Sequence, residues 1–195
     1  MGLIAKLSSK IGNDLVRSNI VKAEDAEIYI YGINQILVSV LNVLSALIIG
    51  LIFGVVFEIA AFMAAYIPLR SFAGGFHAKT PLRCYIFSVI MLIIVSVVIR
   101  YLPAPDWMYY AILSAAALIV LLLSPVEDRN KPLDEKEQVV YKRRAAIITA
   151  AELVICIALN LMGFDGLFAA MVYSFAVLGF MLVAGTIKNR LGVRD

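Results

Sequence analysis

Histidine, cysteine and charge are all scarce in this chain: 195 residues carry one histidine, two cysteines and one tryptophan, and 16% of positions are charged. Each scarcity excludes something. Two cysteines cannot build a disulfide framework, and Cys156 lies in the middle of an apolar run, so no disulfide is expected and Cys84 is free to react. A single histidine with no carboxylate pair near it cannot complete an ordinary zinc site, which excludes a zinc enzyme, and no metal or other cofactor is called for. The formal net charge is only +3, and no basic patch is interleaved with aromatics, so nucleic acid is not expected as a partner.

Apolar residues are what the chain has instead. They make up 63% of it, well above the roughly 45–50% of soluble domains, so water is not the solvent for most of the surface. A spanning helix needs about 20 apolar residues. The runs near 28–53, 56–69, 83–101, 107–124, 145–162 and 166–187 therefore predict an all-α integral membrane protein of about six transmembrane helices. No room is left for a soluble domain, and residues 1–195 are expected to form a single membrane domain with a six-helix core over 28–187. The run from Glu58 to Leu69 is short and holds Pro68 in its last turn; it spans in full, stops partway, or bends with the first run as a re-entrant pair.

Charge placement predicts the orientation. If the N-terminus is cytoplasmic, sixteen of the seventeen Lys and Arg fall on that side. Arg100 is left outside, where each joint carries an acid, Glu58, Asp106 or Asp165. By the positive-inside rule both termini and the segment between the second and third runs face the cytoplasm of a multi-pass cell-membrane protein.

That segment, Arg70 to Cys84, holds the lone His77 and one of the two cysteines, and we read it as a catalytic loop. Thr80 and Pro81 form a helix-start signal, which puts Cys84 in the opening turn of the next helix, among unpaired N–H groups and the positive end of the dipole. Arg70, Lys79 and Arg83 add positive charge, a setting that favours a thiolate nucleophile. Pro81 prevents one helix from running through both residues, so the loop is expected to fold His77 back toward the sulfur as general acid and base. The paired glycines Gly74 and Gly75 are expected to free backbone N–H groups beside it. The plainer alternative is an interfacial loop histidine and a small buried cysteine.

Other positions carry weaker signals. Residues 3–20 set Leu3, Ile4, Leu7, Ile11 and Leu15 on one face and are too polar to span, as in an interfacial amphipathic helix lying on the bilayer or packed on cytoplasmic loops. Asn34, Gln35 and Asn42 in the first run should face other helices, as packing contacts or as the lining of a substrate cleft. Glu152 in the fifth run needs protein, water or a cation: it lines that cleft, orients His77, or pairs with Arg143 or Arg144. Residues 124–144 read as a charged cytoplasmic loop, with a short surface helix over 133–141 and a possible role in docking a charged peptide.

Arg70, Gly74, Gly75, His77 and Ala78, with Cys84 seven residues beyond the histidine, a Lys-Pro pair at 131–132 and six spans in a small chain, resemble the AgrB family of membrane cysteine endopeptidases. The resemblance covers nearly the whole chain. It implies cleavage of an AgrD-like propeptide and, through a thioester on the enzyme, closure of a thiolactone or lactone ring in a quorum-sensing autoinducing peptide. It further implies that His77 and Cys84 are the catalytic pair, that Arg70 and Gly75 support them, and that the protein is a homodimer. A small multi-span transporter or peptide exporter is the alternative, although no internal repeat relates the two halves of the chain. The orientation has a direct check: an impermeant thiol reagent should label Cys84 in inverted vesicles and leave it unlabelled in intact cells.

Overall fold

The computed structural model describes residues 2–76, 81–127 and 133–191. The described residues form helices in this order: α1 (Gly2–Arg17), a single 3-10 turn (Ala23–Asp25), α2 (Ala26–Phe53), α3 (Val56–Ala73), α4 (Pro81–Tyr101), α5 (Asp106–Leu123), α6 (Glu135–Leu161) and α7 (Asp165–Arg190). All but α1 and the 3-10 turn are long and apolar enough to cross a membrane. The expected class is what is found, with the six long apolar helices lying between residues 26 and 190.

Packing divides the chain into two compact units, Met1–Ile48 with Ala78–Leu92, and Ile49–His77 with Ile93–Asp195. In the first, α1 lies against the start of α2 through its small residues. Ser8 is buried, and Gly12 sits so close to Ile30 that a Cβ there would collide with that side chain. Leu7 and Ile11 are left exposed. The small face of α1 thus meets protein, while part of the predicted apolar face is free for another apolar surface. Further along, the Ser45 and Tyr85 hydroxyls lie 2.8 Å apart and link α2 to α4.

The second unit is built around α7, which packs against α3, α5 and α6. Its buried residues Phe168, Val172, Phe175, Leu178 and Leu182 form the centre of the apolar core, with Leu69 of α3 and Val120 of α5. Tyr109 meets both Phe168 and Tyr173 edge-on.

Two expectations are corrected. The second apolar run does not stop near residue 69: α3 is an 18-residue helix that carries Pro68 inside it and continues to Ala73. Its length is about 27 Å, close to the hydrocarbon thickness. The stretch 124–144 is not all loop, and the helix expected over 133–141 is found from Glu135 but is the start of a much longer one. Residues 135–144 are the first turns of α6, which runs unbroken to Leu161. Glu, Lys, Gln and Arg are strong helix formers, so their charge does not argue against helix. The start is fixed by a capping box, in which the Glu137 N–H donates to Asp134 Oδ1 at 2.7 Å and the Asp134 N–H donates to Glu137 Oε2 at 3.2 Å. Asp134→Ala should cost about 1 kcal/mol at this end of the helix. Amide exchange should speed up over residues 135–138 and stay unchanged deeper in α6.

Candidate active site

Of the stretch Arg70 to Cys84, the structure turns most into ordered backbone. Arg70 lies in the last turn of α3, and Pro81 opens α4 with Cys84 in its first turn, as expected. The stretch expected as a catalytic loop over 70–84 thus includes the end of α3 and the start of α4. His77 and Thr80 lie outside the described residues, as do Ala78 and Lys79.

Cys84 is exposed, and its carbonyl accepts from Ser88 Oγ at 3.0 Å; Cys156 is fully buried. Arg83 beside it is also exposed. Cys84, Arg83, Asn34 and Gln35 belong to the first unit, whereas Arg70, Gly74, Gly75 and Glu152 belong to the second.

In the second unit the backbone leading to His77 is held from three sides. Gly74 leaves α3 at φ 72° and ψ −148°, a region open essentially to glycine alone. It pairs with Val126 in an isolated parallel bridge: the Val126 N–H donates to the Ala73 carbonyl at 2.9 Å, and the Gly75 N–H donates to the Val126 carbonyl at 3.2 Å. The Phe76 N–H donates to the Met181 carbonyl of α7 at 2.9 Å, and Arg70 Nη2 donates to the Phe76 carbonyl at 2.7 Å. The Lys188 Nζ sits 5.3 Å from the centroid of the Phe76 ring. Arg70 Nη1 is buried with no hydrogen-bond partner among the described residues, so the guanidinium has a donor in hand after fixing Phe76.

This geometry corrects the expectation that Gly74 and Gly75 free their N–H groups. Gly74 donates to the Arg70 carbonyl at 3.1 Å and Gly75 to Val126, so neither is an available oxyanion donor. The glycines serve close approach instead. A Cβ on Gly74 would collide with the Val126 carbonyl, and one on Gly75, at φ 123°, would stand 2.9 Å from Arg70 Nη1.

The pairing of Glu152 with Arg143 or Arg144 is also corrected. Eight residues of helix place Arg144 about 12 Å from Glu152 along the axis. Arg144 is exposed and lies over the Phe72 ring at 5.2 Å. Glu152 is buried on the inner face of α6 with Thr149 and Cys156, and among the described residues neither Glu152 Oε2 nor Thr149 Oγ1 has a hydrogen-bond partner. In α2, Asn34 is half-buried and Gln35 is exposed, while Asn42 donates to the Val38 carbonyl at 3.1 Å.

The residues that sequence reasoning missed are Val126, Met181 and Lys188. Two of them act through backbone carbonyls or N–H groups, which any residue type supplies, so only the cation Lys188 carried a signal.

The architecture and site define a class first: an all-helical multi-pass membrane protein with an exposed cysteine at a helix start and a backbone clamp ahead of its single histidine. The sequence profile of the accessory gene regulator B family matches residues 5–187. Among curated proteins, the chain is 29% identical over 92 residues to the accessory gene regulator protein B of Staphylococcus saprophyticus, covering 47% of this chain and 49% of that protein. It is 27% identical over 147 residues to an AgrB-like protein of Listeria welshimeri, covering 73% and 72%. The match thus spans about half the length of the first relative and nearly three quarters of the second. No solved structure matches the chain. The chain belongs to the accessory gene regulator B family, which places it in a quorum-sensing system of the membrane.

The bridge makes a paired prediction. Gly163→Ala meets nothing within 4 Å at φ 76° and should cost only the backbone strain, about 1–2 kcal/mol. Gly74→Ala adds the collision with Val126 and should lower the thermal unfolding midpoint in detergent clearly further.

Proposed function

We propose that this protein is a membrane cysteine endopeptidase that cleaves the C-terminal part of an AgrD-like propeptide and promotes closure of a thiolactone or lactone ring in the released signal. The observation that carries the reading is the contrast between the two cysteines, Cys84 exposed in the first turn of α4 and Cys156 fully buried. A nucleophile must be reachable, and only Cys84 is.

In this reading the Cys84 thiolate attacks the scissile carbonyl, forming a C–S bond. His77, carrying the thiol proton, gives it to the departing amine as the C–N bond breaks, and the N-terminal part of the propeptide remains as a thioester on Cys84. A cysteine of the bound peptide then loses its proton to His77 and attacks that thioester. The ring closes as the Cys84 thiolate leaves, with one thioester exchanged for another. Arg70 supports this chemistry through Phe76, and its Nη1 is the donor available to developing negative charge. Arg83 contributes positive charge near the sulfur. Asn34, Gln35 and Glu152 are candidates for the substrate cleft.

The charge asymmetry supports cytoplasmic termini and a cytoplasmic active-site segment. The exposed Leu7 and Ile11 of α1 suit contact with the bilayer surface, where an amphipathic propeptide leader would also lie. A homodimer is the proposed assembly.

Cys84→Ala should abolish cleavage of a candidate propeptide, and His77→Ala should come close to doing so. With a propeptide whose ring-forming cysteine is replaced by alanine, intact-protein mass spectrometry should find the N-terminal fragment attached to wild-type enzyme and absent from the Cys84→Ala variant. Cleavage that persists without Cys84 would return the transporter alternative to first place.

A further inference from the structure

We propose that Gly185 of α7 is a positioning residue for the active-site segment, and that the turn of α7 around it serves to hold the backbone immediately before His77. The inference rests on the reading of His77 and Cys84 as the catalytic pair. It adds a helix near the far end of the chain to the apparatus.

Gly185 is buried near the end of α7, facing the passage out of α3. A Cβ built on it would stand 2.8 Å from the Phe76 nitrogen, 2.9 Å from the Gly75 carbonyl carbon and 3.1 Å from Val126 Cγ1. The first two are backbone atoms, which cannot rotate aside. The absent side chain therefore lets the Gly75–Phe76 peptide lie directly on the helix, close enough for the Phe76 N–H to reach the Met181 carbonyl at 2.9 Å. Met181, Gly185 and Lys188 follow a spacing of four and three, so they form one stripe of α7. Along it the helix offers a carbonyl, a vacant Cβ position and a cation over the Phe76 ring. From the other side Arg70 Nη2 holds the Phe76 carbonyl at 2.7 Å. Phe76 is thus tethered at its N–H by α7 and at its carbonyl by α3, and the next residue is His77.

A glycine inside a helix costs about 1 kcal/mol relative to alanine, so its use here calls for a reason. Gly179 on the same helix shows the difference. A Cβ there would find its nearest atoms at 3.7 Å, an ordinary contact. Alanine fits at 179, whereas at 185 it would push the Phe76 backbone off the helix.

The test compares the full-length wild type, Gly185→Ala, Gly179→Ala and Lys188→Gln in lipid vesicles. Two readouts are taken: amide exchange at Phe76, and kcat and KM for propeptide cleavage. Gly185→Ala should speed Phe76 exchange by about tenfold or more through loss of the Met181 hydrogen bond. It should lower kcat by about a hundredfold, the scale of an ångström-sized misplacement, with KM held within about twofold. Gly179→Ala should match the wild type in both readouts. Should Gly185→Ala fail to insert, Lys188→Gln decides: a several-fold loss in kcat with KM and the thermal midpoint unchanged supports the clamp, and wild-type kinetics overturn it. Wild-type kcat in Gly185→Ala, or a parallel fall of kcat, KM performance and thermal midpoint, would also overturn it. If the wild type shows no Cys84-dependent cleavage, the peptidase reading fails, while Phe76 exchange still decides whether the clamp exists.

Discussion

Buried backbone groups must find partners, and that requirement bears hardest on the few non-helical residues that follow α3. From Gly74 to Phe76 the chain has left the helix that would satisfy it, and the Ala73 carbonyl at the helix end is also without an intrahelical partner, yet Ala73 and Gly75 are buried. The partners come from places far apart in sequence: Val126 after α5, Met181 in α7 and the side chain of Arg70. Once these bonds are made, the residue types around them follow. Gly74 is required by its dihedral angles and by Val126, Gly75 by Arg70, and Gly185 by the Phe76 backbone. The core of α7 against α3 and α5 keeps the three sources in register.

The same passage is where the proposed chemistry meets packing. Arg70 divides its guanidinium between fixing a carbonyl and presenting a donor with no partner among the described residues. A lysine has one nitrogen and could not hold both positions in that planar geometry. Cys84 belongs to one packing unit, and Arg70, Gly74 and Gly75 belong to the other.

Much of this was legible in the sequence. Six helices could be read because apolar runs of spanning length have few other uses, and Thr80 with Pro81 placed the start of α4 and so the exposed first-turn position of Cys84. The errors have physical causes. The second run, with Pro68 in its last turn, left full span, partial span and a re-entrant bend open; a proline removes one N–H and crowds one turn, and α3 carries it and continues to Ala73. Lys142, Arg143 and Arg144 were read as loop because they are charged, although the capping box at Asp134 and the helix-forming residues after it specify helix. The Arg partners assigned to Glu152 neglected helical rise. The clamp could not be read at all: a pairing of main-chain groups between distant segments leaves little trace in side-chain identity.

The unequal lengths of α3 and α6 carry a mechanical consequence. With 18 residues, α3 is about 27 Å long and has no slack across a hydrocarbon layer of similar thickness, whereas α6, with 27 residues, is about 40 Å long. In a thicker or thinner bilayer α6 can tilt or project, but α3 can only be drawn in or pushed out. Because the segment before His77 leaves from the end of α3, bilayer thickness bears on its depth, and lipid composition becomes a load on the bonds that tie it to Val126 and Met181.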